Sequence, residues 1–307
     1  MRDSRLEDIS IVADDTVHQR HLAGRRSTLV SVGVNIGLTA VQGVIGVVAG
    51  SQALIADAAH SLSDLVSDFV VLIAGHHSRK DADTDHPYGH QRFETAASLA
   101  LGVLLLAVGV GMLWSAINKI EHPDGVPPVK LVALWVALGA LAAKELLFRY
   151  MLRVAERVRS SMLVANAWHA RSDAASSLVV ALGIGGNLLG YHVLDPVAAI
   201  VVGLMVARMG LRFGWQALDE LMDRAADDET VTALRQIMLT TPGVLGVHDL
   251  KTRKMGDMIL VDVHLEVRAD LTVEAGHAIA LAARARAMER DDVLNVMTHV
   301  DPVRVRQ

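Results

Sequence analysis

The segment LIADAAHSLSDLVSD, residues 54–68, places three aspartates and one histidine in an apolar stretch of the chain. His60 and Asp64 are four residues apart, so in a helix their side chains lie on one face, about 5 to 6 Å apart at Cβ. Ionisable side chains in such a setting usually have a function. The spacing therefore predicts half of a metal site, whose other ligands must come from elsewhere in the chain.

The composition indicates a membrane protein with several spanning helices. Of the 307 residues, 52% are hydrophobic and 21% are charged, and the mean hydropathy is +0.36, which is too apolar for an ordinary soluble protein. Cysteine is absent, so a metal would have to be bound by nitrogen and oxygen ligands. Three uncharged stretches, residues 27–56, 95–118 and 174–194, are each long enough for the ~20 residues of a spanning helix.

Six transmembrane helices are predicted within residues 27–214, after a polar arm, residues 1–26, that lacks the apolar core of a signal peptide. Twelve Lys and Arg residues fall on the N-terminal side of these helices, whereas the opposite side has only Lys119 and Lys130. The positive-inside rule therefore predicts a multi-pass protein with both termini in the cytoplasm. The predicted helices cover residues 27–49, 54–76, 93–117, 129–151, 161–189 and 197–214.

A small soluble domain is predicted for residues 225–307, after a linker at residues 215–224. DDETVTALRQIML has an acidic first turn followed by helical spacing. VLGVHDLKTRK and MILVDVHLEVR are predicted strands joined by a hairpin at Gly256–Asp257. With a further helix and strand, the order is α-β-β-α-β. The predicted fold class is thus an α-helical polytopic membrane protein with a C-terminal cytoplasmic α+β domain of metallochaperone-like type.

A second H-x-x-x-D pair lies in the fifth predicted helix, where WHARSDAAS contains His169 and Asp173. Two imidazoles and two carboxylates form a suitable tetrahedral ligand set for Zn²⁺. A single intramembrane pair could instead be a polar contact between helices. Because the spacing occurs in two helices, the metal site is the favoured interpretation.

Other polar residues in the predicted helices have simpler explanations. Asn35 and Gln42, seven residues apart, are interpreted as helix-to-helix hydrogen-bonding groups, with the lining of a polar path as the alternative. Lys144 is explained by snorkelling from the inner end of the fourth helix. Asp57 and Asp68 are candidates for a proton path or for supporting contacts, and simple exposure at the helix end is the alternative for Asp68.

Five motifs along the chain point to one known family. They are ALIADAAHSLSDLVSD (53–68), DTDHPYGHQRFE (83–94), HARSD (169–173), PGVLGVHDLKTRK (242–254) and HVDP (299–302). Together they resemble the cation diffusion facilitator family, and the resemblance covers about residues 25–303. It implies a homodimeric divalent-metal/proton antiporter whose transport site is His60, Asp64, His169 and Asp173. Imidazole ligands favour Zn²⁺, with Fe²⁺, Co²⁺ or Cd²⁺ as further candidates and Mn²⁺ the least expected.

The resemblance also implies metal sites outside the predicted helices. From the residues alone, the HPYGH loop is a turn, but the resemblance implies a second, interfacial metal site there. Isolated histidines in the soluble domain could be solvated side chains, whereas the resemblance implies a site that bridges two protomers. It further implies a salt bridge between Arg92 and Asp223. The implied ligands are Asp83, His86 and His90 in the loop, and His248, His264, His299 and Asp301, with His277 as an extra ligand, in the soluble domain.

The expected function is proton-coupled efflux of divalent metal cations from the cytoplasm across the cytoplasmic membrane. Zn²⁺ is expected both as the substrate and as a structural ligand, without an organic cofactor. The expected partners are a second copy of the chain and the lipid bilayer, but not nucleic acid. A membrane metalloenzyme is disfavoured because the chain has no H-E-x-x-H motif and no intramembrane nucleophile paired with a base. The alternative is a metal-dependent sensor or assembly scaffold without transport.

Overall fold

The computed structural model describes residues 29–78, 80–122, 128–157 and 161–304, so the arm predicted for residues 1–26 lies outside the described part. The chain forms two compact units. The first comprises the residues up to Phe69 together with Leu104–Leu211. The second comprises Val70–Val103 together with the residues from Arg212 onward.

Within the described residues, six long helices precede the C-terminal domain, as the sequence predicts. Five of them are long and apolar enough to cross a membrane. Helix α5 is not among these five, and its sequence includes His169, Arg171 and Asp173. The six helices are α1 (Leu29–Ala49), α2 (Gln52–Ser78), α3 (Arg92–Glu121), α4 (Leu131–Arg157), α5 (Ser161–Leu188) and α6 (Leu194–Leu221).

Two helix ends differ from the prediction in ways that affect the site. Helix α4 continues to Arg157 instead of ending at residue 151. Helix α6 continues to Leu221, so residues 215–221 of the predicted linker are helical. Gln, Ala, Leu and Glu, which make up most of WQALDEL, are good helix formers, and the segment contains no Gly or Pro to end the helix.

Small residues allow the helices of the first unit to pack closely. Ala49, Ala133 and Ala137 are fully buried in its core. Helices α3 and α6 approach so closely that a Cβ atom at Gly109 would collide with the backbone of Ala207. Such small-residue contacts are the usual means of association between membrane helices, which gain little from hydrophobic burial in lipid.

The C-terminal domain has the predicted α-β-β-α-β order. Strand β2 pairs with β1 antiparallel and with β3 parallel, in the sheet order β1-β2-β3. Along β2, Val261, Val263 and Leu265 are buried against the helices, while His264 and Glu266 alternate onto the other face. The elements are α7 (Asp228–Leu239), β1 (Gly246–Met255), β2 (Met258–Arg268), α8 (Val273–Ala287) and β3 (Val293–Val303).

Candidate metal centres

The first centre lies between α2 and α5. His60, Asp64 and Asp173 each offer a ligand atom, and these atoms lie within 4.8 Å of one another. His60 Nδ1 is 3.7 Å from Asp64 Oδ2, and His60 is only 6% exposed. The side chain of His169 lies outside the described residues, so its membership stays a prediction. One imidazole and two carboxylates at this depth are chemically suited to a divalent cation.

A second polar group, which we call the Asp57 cluster, lies one helical turn before His60. Asp57 is fully buried and accepts hydrogen bonds from Gln42 Nε2 (2.5 Å) on α1 and Ser177 Oγ (2.7 Å) on α5. Lys144 Nζ on α4 lies 3.4 Å from Asp57 Oδ1. Lys144 also donates to Ser177 Oγ at 2.7 Å. The cluster comprises Gln42, Asp57, Ser61, Lys144, Ser176 and Ser177.

The snorkelling interpretation of Lys144 is therefore wrong. Its side chain is 3% exposed and forms an ion pair inside the helix bundle. The error came from the predicted helix end: with α4 running from Leu131 to Arg157, Lys144 is at mid-length and too far from either end to reach the interface. Asp68, by contrast, is exposed, although α2 continues for ten residues beyond it.

The second predicted centre, in the loop between α2 and α3, brings its three ligands together. His86 Nδ1 lies 3.3 Å from Asp83 Oδ1, and His90 Nε2 lies 3.3 Å from Asp83 Oδ2. The backbone N–H of His86 donates to Asp83 Oδ1 at 2.7 Å. This hydrogen bond is the main cause that lowers the pKa of the Asp83 carboxyl from its ordinary value, so Asp83 is a carboxylate ready for a cation.

Turn geometry and metal-ligand geometry coexist in this loop. Gly89 has φ of +85°, and its N–H donates to the carbonyl oxygen of His86 at 2.9 Å. His90 is buried and stacks on Phe93, with ring centroids 5.7 Å apart. The turn therefore sets the positions of the ligands. A cavity of about 590 Å³, with Arg253 in its wall, adjoins the loop.

The third centre lies on the open face of the sheet in the C-terminal domain. The strand register places His248 opposite His264 and His264 opposite His299. Asp301 Oδ2 lies 3.0 Å from His248 Nε2 and 2.9 Å from His264 Nδ1, and Oδ1 lies 3.3 Å from His299 Nε2. The hydrogen bond with His264 is the main cause that lowers the pKa of Asp301. Three imidazoles thus surround one carboxylate.

Two further residues bear on the ligand set predicted for this centre. Glu266, which the prediction missed, has Oε1 3.9 Å from His248 Nε2 and pairs in register with Gly246 and Asp301. A Cβ atom at Gly246 would collide with the Glu266 carboxylate, so the glycine makes room for it. The alternation of Asp262, His264 and Glu266 was visible in the sequence. His277 lies on α8, is exposed, and is not part of the cluster within the described residues.

The implied salt bridge is present in the second unit. Arg92 Nη2 lies 2.6 Å from Asp223 Oδ1, with side chains 45% and 51% exposed. Asp223 follows α6 and has φ of +62°, and Arg253 Nη1 is 4.0 Å from its other oxygen. Exposed pairs usually stabilise a fold by less than about 1 kcal/mol, so this pair adds little stability by itself.

Comparison with known proteins gives two family matches. The profile described as "Cation efflux transmembrane domain" matches residues 28–222. The profile described as "Cation efflux protein, cytoplasmic domain" matches residues 226–303. The boundary between the matches follows the end of α6 at Leu221.

The matches to named relatives cover most of this chain. Metal tolerance protein C1 of Arabidopsis thaliana is 36% identical, and the match covers 87% of this chain but 60% of that protein. Magnetosome protein MamB of Magnetospira sp. (strain QH-2) is 34% identical, covering 89% of this chain and 93% of that protein. Manganese efflux system protein MneS of Bacillus subtilis (strain 168) is 32% identical, covering 91% and 96%. This chain therefore spans about three fifths of the plant relative and nearly all of the two bacterial ones.

Among solved structures, the metal-bound C-terminal domain of the CzcD transporter from Thermotoga maritima is 23% identical. The match covers 24% of this chain and 87% of that chain, with a TM-score of 0.24.

Proposed function

Because the chain belongs to the cation efflux family, we propose that it carries divalent metal ions out of the cytoplasm, with His60, Asp64, His169 and Asp173 as the transport site. The observation that carries the proposal is the convergence of His60, Asp64 and Asp173 between two long helices. Two half-buried carboxylates and one buried imidazole whose ligand atoms lie this close together form a suitable ligand set for a divalent cation. Because the ligands come from two separate helices, they would bind an ion at a site from which it can be released.

Zn²⁺ is the proposed substrate because of the ligand types. Zn²⁺ binds imidazole nitrogen and carboxylate oxygen in a tetrahedral set, whereas Mn²⁺ is better suited by oxygen-rich sites. His60 is the described imidazole ligand, and His169 would be the second. Since one relative is named for manganese efflux, the choice between these metals depends on the ligands of this chain and not on the names of its relatives. Fe²⁺, Co²⁺ and Cd²⁺ are further candidate substrates.

Alternating access with proton exchange is the proposed mechanism. The site would open to the cytoplasm to take up the ion and to the other side to release it. An imidazole must be neutral to bind metal, and an isolated imidazole titrates near pH ~6.5. Protons would therefore compete with the metal at His60 and His169, help to expel it, and travel inward on the return.

The other two centres support proposals about assembly. With both termini in the cytoplasm, the cluster of His248, His264, His299 and Asp301 would lie in a cytoplasmic domain. Metal bound there would join two protomers, with His277 as a ligand from outside the described cluster, so that metal-binding free energy would also favour the homodimer. Asp83, His86 and His90 would collect ions near the cytoplasmic entrance.

Proteoliposomes that contain a trapped pH dye test the transport proposal. Zn²⁺ flux should be accompanied by proton movement in the opposite direction, and Asp64→Ala should abolish both. Glu121→Ala, which removes an exposed carboxylate at the end of α3, is the matched control and should leave flux unchanged. Zinc flux that moves no protons and ignores a pH gradient would rule out antiport. If Asp64→Ala retained metal-dependent dimerisation and full activity in cells, the chain would be a sensor or scaffold and not a transporter.

A further inference from the structure

The Asp57 cluster joins four helices in one buried layer. Gln42 belongs to α1, Asp57 and Ser61 to α2, and Lys144 to α4, while Ser176 and Ser177 belong to α5. All six residues are buried. Lys144 Nζ contacts Asp57 Oδ1 (3.4 Å), Ser61 Oγ (3.3 Å) and Ser177 Oγ (2.7 Å). One ammonium therefore links α4 to both helices that carry the transport ligands.

Exposure along α2 changes steadily from this layer through the transport site. Four acidic or basic side chains occur at intervals of three and four residues, and therefore on one face. Asp57 is 0% exposed and His60 is 6% exposed, the side chain of Asp64 is 22% exposed, and Asp68 is exposed. On this face of α2 the side chains are therefore buried on the N-terminal side of His60 and increasingly exposed toward the C-terminal end of the helix.

The cluster is also connected to the ligand-bearing turns. Ser61 directly follows His60. Ser176 Oγ donates to the backbone oxygen of Asp173 at 2.7 Å and lies 3.3 Å from Asp57 Oδ1. A shift of the α2 or α5 turn that carries a ligand would therefore change the distances around Lys144 and Asp57.

We propose that the ion pair between Lys144 and Asp57 is a latch that closes the N-terminal side of the transport site, with Lys144 as a positioning residue for transport. The proposal rests on the proposed alternating access, which requires that side to open. A buried ion pair has a Coulomb gain that its desolvation penalty largely cancels. The pair can therefore separate at small net cost once water enters, so both the closed and the open arrangement can be populated.

The natural absence of cysteine allows a direct test in the full-length protein. Two single cysteines, Ala53→Cys on α2 and Ala181→Cys on α5, serve as reporters one turn beyond the cluster. The native alanines at these positions are 0% and 5% exposed. A membrane-impermeant thiol reagent is added to vesicles on the side of the N-terminal end of α2. Both reporters should label slowly with Lys144 present. They should label roughly tenfold faster in the double variant Asp57→Asn/Lys144→Gln, equivalent to about 1.4 kcal/mol in the closing equilibrium.

Matched variants separate the latch from general damage. Glu145, the residue after Lys144, pairs instead with Arg149 at 2.8 Å on the exposed side of α4. Glu145→Gln should therefore leave labelling and flux unchanged. Lys144→Arg should keep labelling slow. Ser177→Ala removes one hydrogen bond to each partner without leaving a buried charge, and it should accelerate labelling about threefold. Tyr191→Cys, an exposed position, reports equal reagent access in every background.

Two results would overturn the proposal. One is unchanged labelling of both reporters in the double variant and in Ser177→Ala. The other is fast labelling in Lys144→Gln together with slow labelling in the double variant. The unpaired charge of Asp57, and not the loss of the latch, would then be what opens the helices. Zinc flux is measured separately: absence of flux in the native protein would contradict the proposed function, whereas native flux with unchanged labelling would contradict only the latch.

Discussion

Replacement of His264 by alanine tests whether the cluster on the open face of the sheet binds metal. His264 is the central imidazole, since it pairs in register with His248 and His299 and lies 2.9 Å from Asp301. Structural zinc sites bind with about 10 to 16 kcal/mol from four ligands, or roughly 2.5 to 4 kcal/mol for each ligand. Because about 1.4 kcal/mol corresponds to tenfold, loss of His264 should weaken metal binding about a hundredfold or more.

The weaker metal binding of His264→Ala can be measured as the rate of hydrogen exchange of the β3 amides. A ligand that binds only the closed domain slows exchange by the factor 1 + [L]/Kd. At a Zn²⁺ concentration of about 100 Kd, protection in the native full-length protein should rise about 100-fold. At the same concentration, the His264→Ala protein should gain only about twofold, while its metal-free protection should change little because His264 lies on the open face of the sheet.

A nearby acidic residue supplies the control. Asp262 lies two residues before His264 on the same face of β2, and its contact is with Arg253 at 3.5 Å. Asp262→Ala should therefore keep the full metal-induced protection. If His264→Ala also kept the 100-fold effect, the cluster would not be a metal site, and the proposed role of metal in joining two protomers would fail with it.

Three further outcomes follow from other parts of the structure. His60→Asp should shift transport selectivity toward Mn²⁺ or Cd²⁺, measured by competitive uptake; unchanged selectivity would contradict the account of metal choice. Gly109→Ala should destabilise the helix bundle by about 1 to 3 kcal/mol through overpacking against the α6 backbone, whereas Gly111→Ala, with open space around it, should be tolerated in a thermal stability assay. The pKa of Asp227 is lowered mainly by the hydrogen bond from the Thr230 N–H, which Asp227 caps. The stability that the Asp227 carboxylate gives to α7 is therefore complete above the ordinary pKa near 3.8 and is lost as pH falls through the lowered pKa. Asp227→Asn should keep the cap but remove that acid-dependent loss of α7 amide protection.

The sequence predicts best what depends on one element. Spacing of four residues places His60 and Asp64 on one face of α2, and alternation places His264 and Glu266 on one face of β2. The Lys144 to Asp57 pair joins residues 87 positions apart on helices whose packing no periodicity specifies. An error of six residues in the end of α4 was enough to assign Lys144 to the membrane interface. Contacts between elements are therefore the part that required the structure.

The way each centre is built suggests whether it can release an ion. His248, His264 and His299 lie on three adjacent strands, and the backbone hydrogen bonds of the ladders fix their register. The ladders hold the backbones of these three residues at fixed spacing, so this centre is suited to retaining metal. His60 and Asp173 lie on separate helices, where small side chains allow displacement without loss of backbone hydrogen bonds. A site whose ligands can separate at low cost can release its ion, and this difference supports assigning transport to the helices and assembly to the sheet.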